Sequence, residues 1–265
     1  MSASDLMDQV RRLGAPYGLE RSLKIVSGAI LEDRFLVTLH RSAFGADTAE
    51  RLLEMGRALG VPQGFAGAIT AAQADADIIH FGYEGGAGQP THKIYLEFAS
   101  RVRRARALNA GDPVLVHLAF KWMPGVPGQR AETHYMWVPC RSEAAIAERL
   151  RRLVPPGEAP RALRCGLELL SRSSKRTDAR ELLLMEVAEP DNPRRSYDIN
   201  VYRAELHLGD IADLVGSVAA DFAVPRPQVR VLLERDGARD LGHLSGGRGR
   251  DGGEFVTIYY GVEAH

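Results

Sequence analysis

The sequence predicts an α+β protein of about ten antiparallel strands in five hairpins, a closed or nearly closed barrel surrounded by helix pairs. Three observations lead there. Strand pairs and helix pairs alternate along the chain; short turns, most of them rich in Gly and Pro, join the strands of each pair; and the strands alternate apolar with charged or phenolic residues.

Taken in order, DLMDQVRRLGAPYG (5–18) carries apolar residues at helical spacing and stops between Gly14 and Gly18. SLKIVSGAILEDRFLVTLHRS (22–42) reads as two strands turning near Glu32 and Asp33, and residues 48–75 as two helices broken around Gly60 to Gly64. DIIHFGYEGGAGQPTHKIYLEF (77–98) is a second hairpin, followed by a short polar helix, SRVRRARAL (100–108). PVLVHLAFKWMPGVPGQRAETHYMWVP (113–139) is a third. Residues 142–173 hold two helices separated by PPGE. ELLLMEVAEPDNPRRSYDINVYRAEL (181–206) turns at EPDNP, 207–237 form a helix pair broken at Pro225 and Pro227, and DLGHLSGGRGRDGGEFVTIYYGV (240–262) is the fifth hairpin.

Tight turns make antiparallel pairs, which excludes the parallel βαβ architectures. Ten strands in an open sheet would leave two bare edges; closure removes them, and a ring of helices covers the outer face. A barrel that wide is hard to fill with side chains and keeps a cavity.

Composition narrows the function classes. The 265 residues are 45% hydrophobic and 26% charged, the balance of a soluble globular protein. Thirty-four basic residues match thirty-four acidic ones, so bulk charge points to neither nucleic acid nor membrane. No apolar run approaches the roughly 20 residues of a membrane span, and MSASDLMDQVRRLG lacks a signal-peptide core. Cys140 and Cys165 form neither a metal-type spacing nor a disulfide framework. The expectation is a cytoplasmic, reduced protein without a metal site.

The alternation says which side chains face the cavity. In THKIYLEF (91–98), Lys93, Tyr95 and Glu97 oppose Ile94, Leu96 and Phe98. Helices need the apolar side, so the polar side faces the lumen. By the same reasoning His117, Ala119 and Lys121 face inward, as do Asp198, Asn200 and Tyr202, and Phe255, Thr257 and Tyr259. His80, His134 and His243 also lie on predicted strands, and a lumen could gather several of them with His117. An ordinary sheet with one wet face is the plainer alternative.

This layout resembles the prenyltransferase barrel, the αββα-repeat (ABBA) fold of aromatic prenyltransferases, and within it the branch that modifies cyanobactin-type peptides. The stretches that carry the resemblance are IIHFGYEGGAGQPTHKIYLEF, a Gly-x-Glu strand followed by a Lys-bearing strand, and the terminal VTIYYG. The resemblance in layout covers nearly the whole chain, implying a single αββα-repeat domain over 1–265. It implies transfer of an allylic group from a prenyl diphosphate to an aromatic or peptide-borne nucleophile, in natural product biosynthesis. Lys93 and Lys121 would bind diphosphate, and Tyr95, Tyr202 and Tyr259 would shield the allyl cation. Glu97 or Asp198 would orient or deprotonate the acceptor, with His80 and Asn200 lining the substrate space. No cofactor is implied, Mg²⁺ being the one ion left open. The family also places a carboxylate on the first strand, whereas SLKIVSGA offers Ser22, Lys24 and Val26 to the inward side and no acid. Either the inward register of that strand is shifted, or another lumen acid, Glu97, Asp198 or Glu84, takes the role, or the barrel has lost prenyl transfer. The last leaves a non-catalytic small-molecule or peptide carrier open as the alternative, with an unrelated α+β transferase as a third.

The remaining strings read as structure. GRGRDG (247–252) matches G-x-G-x-x-G but precedes a strand, so it is a hairpin turn and not a dinucleotide loop. RVRRAR (101–106) is a solvated helix face, with a role in gathering an acidic peptide or the diphosphate if the enzyme reading holds.

Overall fold

Among the described residues, those that alternate apolar and polar at period two condense into eleven strands, β1 Gly18–Val26, β2 Ala29–Leu31, β3 Arg34–His40, β4 Ile78–Glu84, β5 Thr91–Glu97, β6 Val114–Trp122, β7 Arg130–Val138, β8 Leu183–Glu189, β9 Asn192–Asn200, β10 Leu241–Arg248 and β11 Glu254–Ala264. The computed structural model describes residues 2–86, 88–154 and 159–265, with Pro193 described by its backbone alone. Each strand pairs antiparallel with its neighbour, and β11 pairs back onto β1, so ten strands form a closed barrel. The short β2 pairs on β1 beside that ring.

Among the described residues eight helices pack around or against the barrel: α1 Ala3–Arg12, α2 Thr48–Ala58, α3 Gln63–Ala72, α4 Ala99–Ala107, α5 Glu143–Leu153, α6 Pro160–Ser174, α7 Ala212–Asp221 and α8 Arg226–Asp236. Their apolar stripes meet the outward strand residues in two cores. Leu6, Leu52, Met55, Phe65 and Ile69 cover Val37, Phe81, Ile94, Phe120 and Trp122 on one side. Ile146, Leu150, Leu169, Val215 and Leu232 cover Leu23, Ile25, Leu184, Ile199 and Val256 on the other. This outer packing is what commits the opposite faces to the lumen. Val102 and Ala105 of α4 join a third, smaller cluster with Tyr95, Val116 and Tyr135. The PPGE break expected between α5 and α6 lies outside the described residues. No helix among the described residues is long and apolar enough to cross a membrane.

Two boundaries differ from the sequence reading. The first hairpin is three strands, because Gly28, at φ 77°, makes an extra turn before the one at Glu32 and Asp33. Its first strand also begins at Gly18, four residues earlier than the apolar pattern suggests. GLERS looks like a turn because it is charged, yet a barrel strand can direct Glu20 inward while Arg21 stands in solvent. At the other boundary, β9 ends at Asn200, whose side-chain oxygen accepts from the Tyr202 backbone N–H at 3.4 Å and turns the chain. Tyr202 is therefore in a 3₁₀ turn, not on the strand.

Trp122 is 1% exposed, and its Nε1 donates to the Leu59 carbonyl at 3.0 Å. Trp122→Ala should lower unfolding free energy by about 3–5 kcal/mol, measured by urea denaturation. A loss under about 1 kcal/mol would contradict the packing described.

Candidate active site in the barrel lumen

The registers stack the inward residues in tiers. Lys93 lies opposite Lys121, Tyr95 opposite Ala119, and Glu97 opposite His117 on β5 and β6. Across β3, β4 and β5, Thr38 lies opposite His80 and His80 opposite Tyr95. Gly82 lies opposite Lys93, and a Cβ there would come within 3.1 Å of the Lys93 side chain. The missing side chain is what lets that lysine lie in the lumen.

The lumen divides into two chambers. One, of about 410 Å³, is lined by Lys24, Arg34, Lys93, Lys121, Arg194 and Arg250 against the carboxylates of Glu84 and Asp251. Glu84 pairs with Arg34 at 2.5 Å and with Lys93, and Arg194 with Glu189 at 3.0 Å. Burial works to raise the Glu84 carboxyl, but Arg34, Lys93 and Lys24 outweigh it and hold it well below its usual range. Burial lowers Lys93 to about 8, with Glu84 partly offsetting it. Burial, then repulsion from Arg194 and Lys93, holds the Lys121 ammonium well below its usual range. This chamber has more buried cations than anions to pair them, and its chemistry calls for an anionic ligand.

The other chamber, of about 470 Å³, is lined by Glu20, His80, Glu97, His117, Asp198, Asn200, Tyr202 and His243, with Leu36, Val116, Leu183 and Met185 among its apolar walls. Tyr95, Tyr135 and Tyr259 border both chambers. The Tyr95 and Tyr135 rings lie 5.8 Å apart, and Tyr259 stacks on His243 at 3.8 Å. Burial raises the Tyr95 and Tyr259 phenols well above their ordinary value and Tyr135 less far, so all three stay neutral.

Glu20 is the first-strand acid that the sequence reading did not find. It accepts from the Tyr202 hydroxyl and lies 3.4 Å from His243 Nε2. His243 Nδ1 meets Asp198 at 2.8 Å. Burial favours neutral imidazole, but Asp198 and Glu20 reverse this and raise His243 to about 10. Gly242 faces the same pair: a Cβ there would come within 2.7 Å of the Tyr202 hydroxyl. His80 Nε2 meets Glu97 Oε2 at 2.8 Å, and His117 Nε2 the same oxygen at 3.4 Å. Burial raises Glu97, yet these two imidazoles win and hold it far below its usual range.

The nine residues to which the resemblance gave a site role thus lie in this lumen. Lys93 and Lys121 are in the cationic chamber, Tyr95 and Tyr259 at the boundary, and Glu97, Asp198, Asn200, His80 and Tyr202 in the second chamber. Tyr202 reaches it from beyond the strand end. His134 does not join them; it pairs with Glu132 at 2.7 Å on the face opposite Tyr135. Glu20, Arg34, Tyr135 and Arg194 are additions, each two residues along an alternation already visible (Ser22, Leu36, Thr133 and Ser196 share their faces). The GRGRDG string is the β10–β11 turn, and RVRRAR lies on α4, where Arg101 and Arg103 pair with Asp75 and Asp77.

Because the folded His243 value of about 10 exceeds the ordinary 6.5, its charge stabilises the fold fully below pH 6.5 and the effect fades as pH rises through 10. The Tm gap between wild type and His243→Gln should therefore be widest near pH 6 and shrink steadily toward pH 10, read by differential scanning calorimetry. A gap independent of pH across that interval would contradict the charged pair.

No family model matches the chain, and no curated sequence does. Solved structures do. The apo prenyltransferase PriB superposes with a TM-score of 0.58 at 16% identity, over 92% of this chain and 79% of PriB. The prenyltransferase NotF gives 0.57 at 14%, over 91% and 80%. NotF in complex with brevianamide F and DMSPP gives 0.53 at 14%, over 91% and 79%. With its closed ten-strand ring and surrounding helices, the chain has the fold of the ABBA-type prenyltransferases.

Proposed function

We propose that the protein moves an allylic group from a prenyl diphosphate to an aromatic or peptide-borne nucleophile inside this lumen. The observation that carries the reading is the join itself: a chamber of buried cations meets a chamber of carboxylates and imidazoles across three neutral tyrosines. That NotF has been captured with brevianamide F and DMSPP supports a two-substrate lumen in this fold.

In this reading Lys24, Arg34, Lys93, Lys121 and Arg194 hold the diphosphate, whose charge offsets the excess of cations that the Glu84 and Glu189 pairs leave. The allylic C–O bond breaks and pyrophosphate leaves with the electron pair. Tyr95, Tyr135 and Tyr259 shield the resulting cation through their ring faces, worth about 1–2 kcal/mol each, and keep water out. The acceptor's π or lone-pair electrons form the new bond to carbon. Glu20, positioned by Tyr202 and His243, takes the proton the acceptor releases. Asp198 and Glu97 orient the acceptor. The cations supply the countercharge from within the protein, and no role is assigned to Mg²⁺. The ground for a non-catalytic carrier, a first strand without an acid, does not hold once Glu20 is in the lumen.

Incubation with labelled dimethylallyl or geranyl diphosphate and aromatic or peptide acceptors should release pyrophosphate and give labelled adducts. Glu20→Gln should lower kcat by about 10²–10⁴-fold while leaving protection from thermal unfolding by the diphosphate intact. Lys93→Met should abolish that protection. Protection without turnover on any acceptor would favour the carrier, and no protection at millimolar diphosphate would sink the reading.

A further inference from the structure

Adjacent strands β4, β5 and β6 aim three side chains at one point in the second chamber. His80, Glu97 and His117 each offer a ligand atom, and these atoms all lie within 4.8 Å of one another. Both imidazoles present Nε2 to the same carboxylate oxygen, at 2.8 and 3.4 Å. Tetrahedral ligands of zinc, about 2.0–2.2 Å from the ion, stand roughly 3.3–3.5 Å apart. The 3.4 Å between His117 Nε2 and Glu97 Oε2 already fits that spacing, and the 2.8 Å between His80 Nε2 and the same oxygen must widen to reach it.

The surroundings fit the same occupant. His80 Nδ1 is 2.9 Å from Thr38 Oγ1. A ligating imidazole is held in this way, one nitrogen hydrogen-bonded so that the other turns its lone pair to the metal. With Nδ1–H donated to Thr38 Oγ1, one of the two senses that contact allows, Nε2 keeps its lone pair and can ligate a cation seated beside the Glu97 oxygen. The seat is fixed by strand register, since Thr38 lies opposite His80 and Glu97 opposite His117. All three ligand residues line the 470 Å³ chamber, so the open side of the ion would face that space.

We propose that His80, His117 and Glu97 form a site for a single first-row divalent cation of the zinc class, two imidazoles and one carboxylate with an open position toward the second chamber. Two imidazoles with one carboxylate suit zinc or cobalt, whereas magnesium and calcium prefer all-oxygen shells. The site stands on its own coordination geometry. Joined to the prenyl-transfer reading, it would let Glu97 act on the acceptor through the ion, which lowers the pKa of a bound oxygen, nitrogen or sulfur nucleophile.

The test is a titration of tag-free, chelator-treated protein with Co²⁺, following visible ligand-field absorption, then displacement by Zn²⁺. One equivalent of Co²⁺ should bind, give the intense bands of a low-coordinate site and be displaced by Zn²⁺. Thr38→Val should weaken binding about 10-fold or more, and the His80→Ala/His117→Ala double variant, checked for folding by circular dichroism, should lose it. Wild-type protein that gives no ligand-field spectrum with excess Co²⁺ would overturn the proposal, as would a spectrum unchanged in the double variant. Either result would leave protons, not a metal, between the imidazoles and Glu97. This binding readout is independent of prenyl-transfer activity, so the two ideas fail separately.

Discussion

A closed barrel takes one face of every strand away from bulk water. Charged side chains placed there lose hydration and must find partners or wait for a ligand. That constraint orders this molecule. Outward residues such as Ile94, Phe120, Leu23 and Val256 are fixed by helix packing, and because side chains alternate, Lys93, Lys121, Ser22 and Thr257 have nowhere else to go. A one-residue slip in any strand would exchange the two sets, so the helical shell enforces the chemistry of the interior.

The lumen then separates charge along its length. Cations collect beyond the tyrosine boundary on one side, and carboxylates and imidazoles on the other. Internal pairs take up part of this charge: Arg34 and Lys93 on Glu84, Arg194 and Arg250 on Glu189, and His243 between Asp198 and Glu20. The remainder, Lys121 above all, lies close to other cations and is stabilised best by an incoming anion. The neutral tyrosines between the two zones give a developing carbocation ring faces to lie against without a full counter-charge to trap it.

Much of this was legible in the sequence because period-two alternation survives in a barrel whose inside is polar. THKIYLEF, VHLAFKW and FVTIYYG each show which side chains share a face, and the structure puts Lys93, Lys121 and Tyr259 in one lumen. What was not legible were strand ends. Apolar pattern defines a strand's middle, while charged ends such as GLERS resemble turns, so Glu20 fell outside β1. At the far end of β9, Asn200 turns the chain, and Tyr202 reaches the chamber from a 3₁₀ turn that alternation cannot foresee. Convergence across strands was equally hidden: that Glu97 would meet both His80 and His117 depends on registers set by the whole ring.

In the proposed prenyl transfer, the cationic chamber and the tyrosine boundary hold the two ends of one allylic diphosphate. A crystal structure with an unreactive thiolodiphosphate analogue tests it most directly. The diphosphate should lie among Arg34, Lys93, Lys121 and Arg194, with the isoprenyl chain passing Tyr95, Tyr135 and Tyr259 toward Glu20. A ligand bound in the reverse sense, or found only outside the barrel, would contradict it.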